Sequence, residues 1–306
     1  MEKIVAYNLT KKEKDFSIID EVSFTVHEGE ILALVGQEHS GKTLVTKLIQ
    51  SISRINSGNA AINGHDTAQG LRDTAQTTGV FIDAQNFYNE KNCYETLEHN
   101  ARLLGKRFMH TQAMNILNLL GLKKVKSVPL YLLNPSQMIR LKLAVALIAM
   151  PNILILDEPF KSLTEEEARE VRKILKTLAD DFDVAILITA RDFSGVEEIF
   201  DTAAIIDDGM IVSVKSYNEL VRQNAPYTKV GISTPMPNSA ARFIEQTFGY
   251  ETHLCGSDVI VDTLPDKAQM MYEELTKNKI TVYGMTRINK SIGELLFDLV
   301  KKRQGE

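Results

Sequence analysis

The chain has 306 residues, enough for one large domain and a smaller companion, with 25% charged and 44% hydrophobic residues in an ordinary globular balance. A net charge of −5 argues against a general nucleic-acid binder, and two cysteines without CxxC or metal-type spacing, Cys93 and Cys255, read as free thiols of a reducing compartment. The N-terminal MEKIVAYNLTKKEKD turns charged before an apolar signal segment forms, and LAVALIAM at 143–150 falls far short of the roughly 20 residues that span a bilayer; a soluble chain is expected, with any membrane part supplied by another polypeptide.

The first two hundred residues alternate short apolar runs with helical patterns, which predicts an α/β layered domain. Strands are expected at SFTVHE (23–28), EILALV (30–35), NAAING (59–64), TGVFID (78–83), NILILD (152–157), VAILIT (184–189) and AAIIDDGMIVSV (203–214). Between 88 and 150 the apolar residues of YETLEHNARLLG, HTQAMNILNLLGL and SQMIRLKLAVALIAM recur at helical intervals, predicting a helical subdomain. The polar RQNAPYT (222–228) marks a boundary, giving domains 1–222 and 228–306. The second domain reads as βαβαβα: strands TKVGIS (228–233), SDVIVDT (257–263) and KITVYGM (279–285), helices NSAARFIEQTF (238–248), KAQMMYEELTKN (267–278) and SIGELLFDLVKK (291–302). Its methionines Met236, Met270, Met271 and Met285 read as core packing rather than a peptide-binding surface.

The chemistry concentrates in GQEHSGKT (36–43), which matches GxxxxGK[ST] with a strand before it and a helix after it. Gly36 and Gly41 let the backbone curl so that the N–H groups of Gln37, Glu38, His39, Ser40 and Leu44 converge on phosphate at a helix N-terminus. Lys42 would reach the β and γ phosphates of ATP and the Thr43 hydroxyl would sit on Mg²⁺. The bland alternative is a glycine turn with an incidental lysine, and the flanking elements weigh against it. In ILILDEP (153–159), Asp157 leaves a buried strand at the end where open α/β sheets bind ligands. Asp157 would hold Mg²⁺ through water, and Glu158 would orient or deprotonate an attacking water.

With these residues in place, the chain resembles the ATP-binding subunits of ABC transporters over nearly all of 1–220. VSFTVHEGEILALVGQEHSGKT, the SGNAAINGHD turn, Gln137–Arg140 leading through an alanine-rich helix into PNILILDEP, AILITARD and FDTAAIIDDGMIV carry that resemblance. The tail SIGELLFDLVKK resembles the end of the accessory domain of the bacitracin-export and antimicrobial-peptide-immunity type. The resemblance implies a P-loop ABC ATPase core with a helical subdomain, plus a small C-terminal α/β accessory domain. It also implies a cytoplasmic subunit held on the inner face of the membrane by a permease. Two such subunits, identical or different, would sandwich ATP.

Several family positions differ here. The signature, usually LSGGQ, falls on LNPSQ (133–137): Pro135 has no N–H to donate, Asn134 stands where the family has serine, and Ser136 offers a hydroxyl one position off. Asn134, Ser136 and Gln137 therefore read either as a γ-phosphate sensor for the partner's ATP or as a helix N-cap. The switch position falls on Arg191, which can bind γ-phosphate but cannot shuttle a proton. The Q-loop position falls on Asp83, with Gln85 two residues on, and either could contribute to Mg²⁺ and water. The D-loop position falls on Thr164, and the adenine-stacking aromatic on Glu13, leaving Phe16 as the substitute. LNPSQ and Thr164 act on the partner's ATP, so a homodimer would carry every defect twice; the pattern favours an asymmetric pair.

Overall fold

The computed structural model describes residues 1–14, 16–68, 78–81, 91–161, 163–224, 228–263 and 265–289, in two compact units, Met1–Ser216 and Tyr217–Glu306. In the first unit β1 (Glu2–Glu13) and β2 (Phe16–His27) form an antiparallel hairpin, which β4 (Ser57–Ile62) and β5 (His65–Asp66) extend in the order β2-β1-β4-β5. The second sheet runs β10-β9-β3-β8-β7-β6. Its members are β3 (Ile31–Val35), β6 (Thr78–Phe81), β7 (Ile153–Asp157), β8 (Ala185–Ala190), β9 (Thr202–Asp207) and β10 (Met210–Ser216). Every residue of β3, β7 and β8 is buried, and continuous apolar runs such as ILALV and ILILD are what parallel strands covered on both faces require.

Helix α1 (Lys42–Ile49) joins the core between the sheets: Ile4, Leu9, Val22 and Val26 meet Leu32, Leu34, Ile155 and Leu187, with Val45 and Leu48 of α1 among them. Each such side chain contributes about 1.5–3 kcal/mol when fully buried. The helical segment contains α2 (Cys93–Leu103), α3 (His110–Leu119) and α4 (Pro135–Leu147), and α5 (Glu165–Phe182) follows β7. On α5 the buried Ala168, Val171, Leu175 and Leu178 recur at helical spacing along one face.

Two strand expectations need correction. SFTVHE is only the end of a strand starting at Phe16, and its partner β1 was not expected at all. The register between β1 and β2 slips between Ala6 and Leu9, where Asn8 takes φ 47, so the two-residue alternation that advertises a strand is broken. AAIIDDGMIVSV is two strands, β9 and β10, joined at Asp208 (φ 44) and Gly209 (φ 75). Two left-handed residues in an Asp-Gly pair make the tight turn that suits a twisted hairpin.

Cys93, at the start of α2, is buried with its Sγ 3.7 Å from the carbonyl of Val125, and burial pushes its thiol up to about 11; Cys255 is exposed. Near pH ~8 Cys93 therefore stays protonated and inert. Ellman's reagent is expected to find one fast thiol on the native chain and the second only after unfolding; two fast thiols would contradict this burial.

The second unit begins with α6 (Tyr217–Asn224) and continues β11 (Thr228–Ser233), α7 (Pro237–Phe248), β12 (Thr252–Cys255), β13 (Asp258–Thr263), α8 (Pro265–Lys277) and β14 (Gly284–Asn289). The sheet order is β12-β13-β11-β14 with antiparallel pairings throughout, a split βαββαβ arrangement in place of the expected βαβαβα. Edge strand β12 is largely exposed and so shows no buried alternation. The last strand starts at Gly284 rather than Lys279, because Lys279 takes φ 60 and Ile280 drops into the core before pairing begins. Val230, Ile232, Val259 and Val261 pack against Ala240, Ile244, Met271 and Leu275. Met285 is partly buried against that cluster, whereas Met236 and Met270 are exposed. The helix expected at 291–302 lies outside the described residues.

Candidate nucleotide-binding site

Parallel pairing brings three strand ends to one edge. Val35 of β3 is level with Ala190 of β8, and Asp157 of β7 with Thr189 of β8. Open α/β sheets bind ligands at this carboxyl edge.

The loop after β3 is shaped by close backbone approach. A Cβ on Gly36 would lie 2.2 Å from the carbonyl oxygen of Ile206, and one on Gly41, at φ 100, would lie 2.5 Å from Ile19 Cδ1. The N–H of Gly36 donates to Ala190 O at 3.1 Å, and the N–H of Gly209 donates to Ser40 O at 3.1 Å. His39 also stands at positive φ, 66, so the loop turns through two left-handed residues with Ser40 between them. Ser40 is buried, and its Oγ has no hydrogen-bond partner among the described residues. An orphaned donor under a glycine cradle at a helix N-terminus fits an anionic phosphate.

Lys42 is 4% exposed and donates to the carbonyls of Gly36 at 2.6 Å and Gln37 at 2.8 Å. Burial pulls its pKa below the ordinary lysine value, and the carboxylates of Glu158 and Asp157 act against that shift. The Thr43 hydroxyl lies 3.0 and 3.2 Å from the two oxygens of Asp157. One hydroxyl beside one carboxylate suits a magnesium ion that takes its other ligands from phosphates and water. Among the described residues no cluster of three His, Cys, Asp or Glu side chains stands ready to hold a metal by itself.

Thr189, which sequence reasoning placed in a strand without a role, joins these groups. It is fully buried, donates to Asp157 Oδ1 at 2.6 Å and accepts the N–H of Glu158 at 3.0 Å. A lone hydroxyl ending an apolar strand was the available signal. Glu158 is held at φ 47, a conformation that costs a non-glycine residue energy and marks functional positions. Its Oε1 lies 3.8 Å from Lys42 Nζ. Lys42, Thr43, Asp157 and Glu158 line an open cleft of about 520 Å³, together with Glu38, His39, Leu44 and Lys161, while Thr189 lines the adjoining one.

Arg191 lines an adjoining cleft with Glu158, and its guanidinium lies 3.7 Å from Glu38 Oε1. Phe16 is 80% exposed, on the strand whose Ile19 abuts Gly41. The side chain of Leu44 packs on the core, leaving its backbone to the loop. Asp83 and Gln85 lie outside the described residues.

Asn134, Ser136 and Gln137 stand apart from that cleft, at the start of α4. The Gln137 N–H donates to Asn134 Oδ1 at 2.8 Å, the Asn134 N–H donates to Gln137 Oε1 at 3.1 Å, and Pro135 occupies the first helical turn. Ser136 is buried beside Glu167, whose carboxyl is held below its usual range by the Thr164 backbone N–H first and by the Ser136 hydroxyl among the lesser causes. Thr164 and Glu167 form a second capping box on α5, and Arg140 reaches Glu170 at 2.7 Å. Both helix starts thus spend donors on their own side chains.

The first unit has the fold of a P-loop ATP-binding cassette. Residues 19–161 match the ABC transporter family. The chain is 26% identical to the uncharacterized ABC transporter ATP-binding protein YhcH of Bacillus subtilis, over 98% of this chain and 96% of the relative. It is equally 26% identical to the bacitracin transport ATP-binding protein BcrA of Bacillus licheniformis, over 96% and 95%. Its fold matches the dimeric ATP-binding cassette MJ0796, solved in a post-hydrolysis state with ADP and Pi, at a TM-score of 0.64 and 17% identity, covering 70% of this chain and 98% of that one. The chain is thus similar to ATP-binding subunits of ABC transporters, by the family match over residues 19–161 and at 26% identity over nearly its full length.

Proposed function

We propose that this chain binds Mg-ATP at residues 36–44 and couples its hydrolysis to export through a separate membrane permease, as the energising subunit of a bacitracin-type system. The observation that carries the reading is the single cluster of phosphate loop, Asp157, Thr189 and Glu158 at one sheet edge. In it Lys42 neutralises the β and γ phosphates, Glu158 takes or orients the proton of the attacking water, and Arg191 faces the terminal phosphate. Thr43 and Asp157 would hold Mg²⁺, which when bound supplies charge neutralisation on the phosphates. Phe16 offers its exposed ring to adenine. The two-unit division, at Ser216/Tyr217, supports an ATP-binding domain followed by a separate accessory domain.

The chain works as one member of an asymmetric pair. The capping boxes at Asn134 and Thr164 support this, because they engage groups that would otherwise face the partner's nucleotide. A second subunit with an intact signature would complete this chain's site. Phosphate release should therefore be slow for the purified chain and rise about tenfold or more with the correct second subunit, the loss of one strong transition-state hydrogen bond being worth that factor. Full turnover by the chain alone would overturn the pairing, and absence of any ATP protection would overturn the nucleotide reading.

A further inference from the structure

The cleft holds one cation that neither sequence motif accounts for. Lys161 sits in the turn leaving β7; its N–H donates to the carbonyl of Glu158 at 3.3 Å, and its Nζ lies 3.4 Å from Glu158 Oε2. Lys42 approaches the other carboxylate oxygen, Oε1, at 3.8 Å. The Glu158 carboxylate thus lies between a buried ammonium and one that is 58% exposed. Lys161 also lines both clefts, the one over the phosphate loop and the adjoining one beneath Arg191.

Charge bookkeeping gives this position a purpose. Glu38, Asp157 and Glu158 place carboxylates around a loop built for a polyanion, and Lys42 offsets only one of them. With Asp192 of the adjoining cleft counted, Lys161 and Arg191 offset two of the three carboxylates that remain, each resting on an acidic partner. A plain surface pair at this spacing contributes little to stability. A flexible ammonium that can leave its carboxylate for a phosphate oxygen contributes where the ligand's charge is greatest.

We propose that Lys161 is a terminal-phosphate-binding residue of this chain's own nucleotide site. Without nucleotide it rests on Glu158. With a triphosphate in the loop its ammonium moves to the terminal phosphate, and the Glu158 carboxylate is released to face water. Lys161 comes from the Glu158 side of the cleft, where the third phosphate and the attacking water belong, so a diphosphate does not reach it. This rests on the nucleotide reading above.

The test is equilibrium binding of fluorescent MgADP and of a magnesium-bound, non-hydrolysable ATP analogue to the full chain, Lys161→Ala and Lys161→Arg. Lys161→Ala is expected to weaken the triphosphate analogue about tenfold, the scale of one charge-assisted hydrogen bond, and to change ADP affinity less than about twofold. Lys161→Arg should restore most of the discrimination. Equal weakening of both nucleotides, or of neither, overturns the assignment while leaving the nucleotide site intact. Failure of the unmutated chain to bind either nucleotide removes the reading beneath it.

Discussion

Lys42→Ala is expected to remove most of the rise in thermal midpoint that Mg-ATP confers on the unmutated chain. A ligand at a hundred times its Kd stabilises by about 2.7 kcal/mol, a shift readily seen in a melting curve. Lys42 lies at the floor of the phosphate cradle, hydrogen-bonded to two loop carbonyls that phosphate oxygens would replace. Losing it removes charge-assisted hydrogen bonds of about 1.5–3 kcal/mol each, enough to lower affinity by roughly a hundredfold. The nucleotide-free chain should change by no more than about 2 kcal/mol, because the substitution also relieves the burial of a charge. The lowered pKa of Lys42 sets the sign of the pH response. The charged form binds phosphate, so on alkalinisation affinity should begin to fall at a pH below the usual lysine range. An ATP-induced shift that survives the substitution undiminished would sink the loop assignment.

Glu158→Gln should separate binding from cleavage. Glutamine keeps the side-chain shape, and the backbone N–H that donates to Thr189 is untouched. The negative charge and the ability to take a proton are lost, and positioned general bases contribute about 10²–10⁴-fold. Single-turnover hydrolysis is expected to fall by at least about a hundredfold. ATP affinity should hold or rise, since the carboxylate no longer competes with phosphate for Lys42 and Lys161. A variant that turns over at the unmutated rate would exclude Glu158 as the base.

Wherever a feature is local, the amino-acid order discloses it. GQEHSGKT is contiguous, and its neighbours ILALV and LVTKLI announce strand and helix by composition and period, so loop and chemistry read together. ILILD followed by Glu158 is local in the same way. The Asp208–Gly209 turn was equally local but was absorbed into a single apolar run. The β1–β2 hairpin was obscured because Asn8 interrupts the alternation that strand reading depends on. At LNPSQ the same residues serve either a cap or a phosphate contact, and the side chains form the cap.

Residue order alone thus marked GQEHSGKT, the acidic pair at the end of β7 and the α/β plan, because propensity and hydrophobic period act over a few neighbouring positions. Tertiary structure decided which distant groups meet them. Thr189 reaches Asp157 only because β7 and β8 pair in parallel at one register, and a shift by a single residue would turn that hydroxyl to the opposite face. Lys161 reaches Glu158 only through the turn that leaves β7, and Arg191 reaches Glu38 only because β3 and β8 end at the same level. The Thr189 and Arg191 contacts depend on strand register and chain crossover, which join segments far apart in the chain and leave no mark on either segment alone, whereas Lys161 and Glu158 are three residues apart and meet through a local turn.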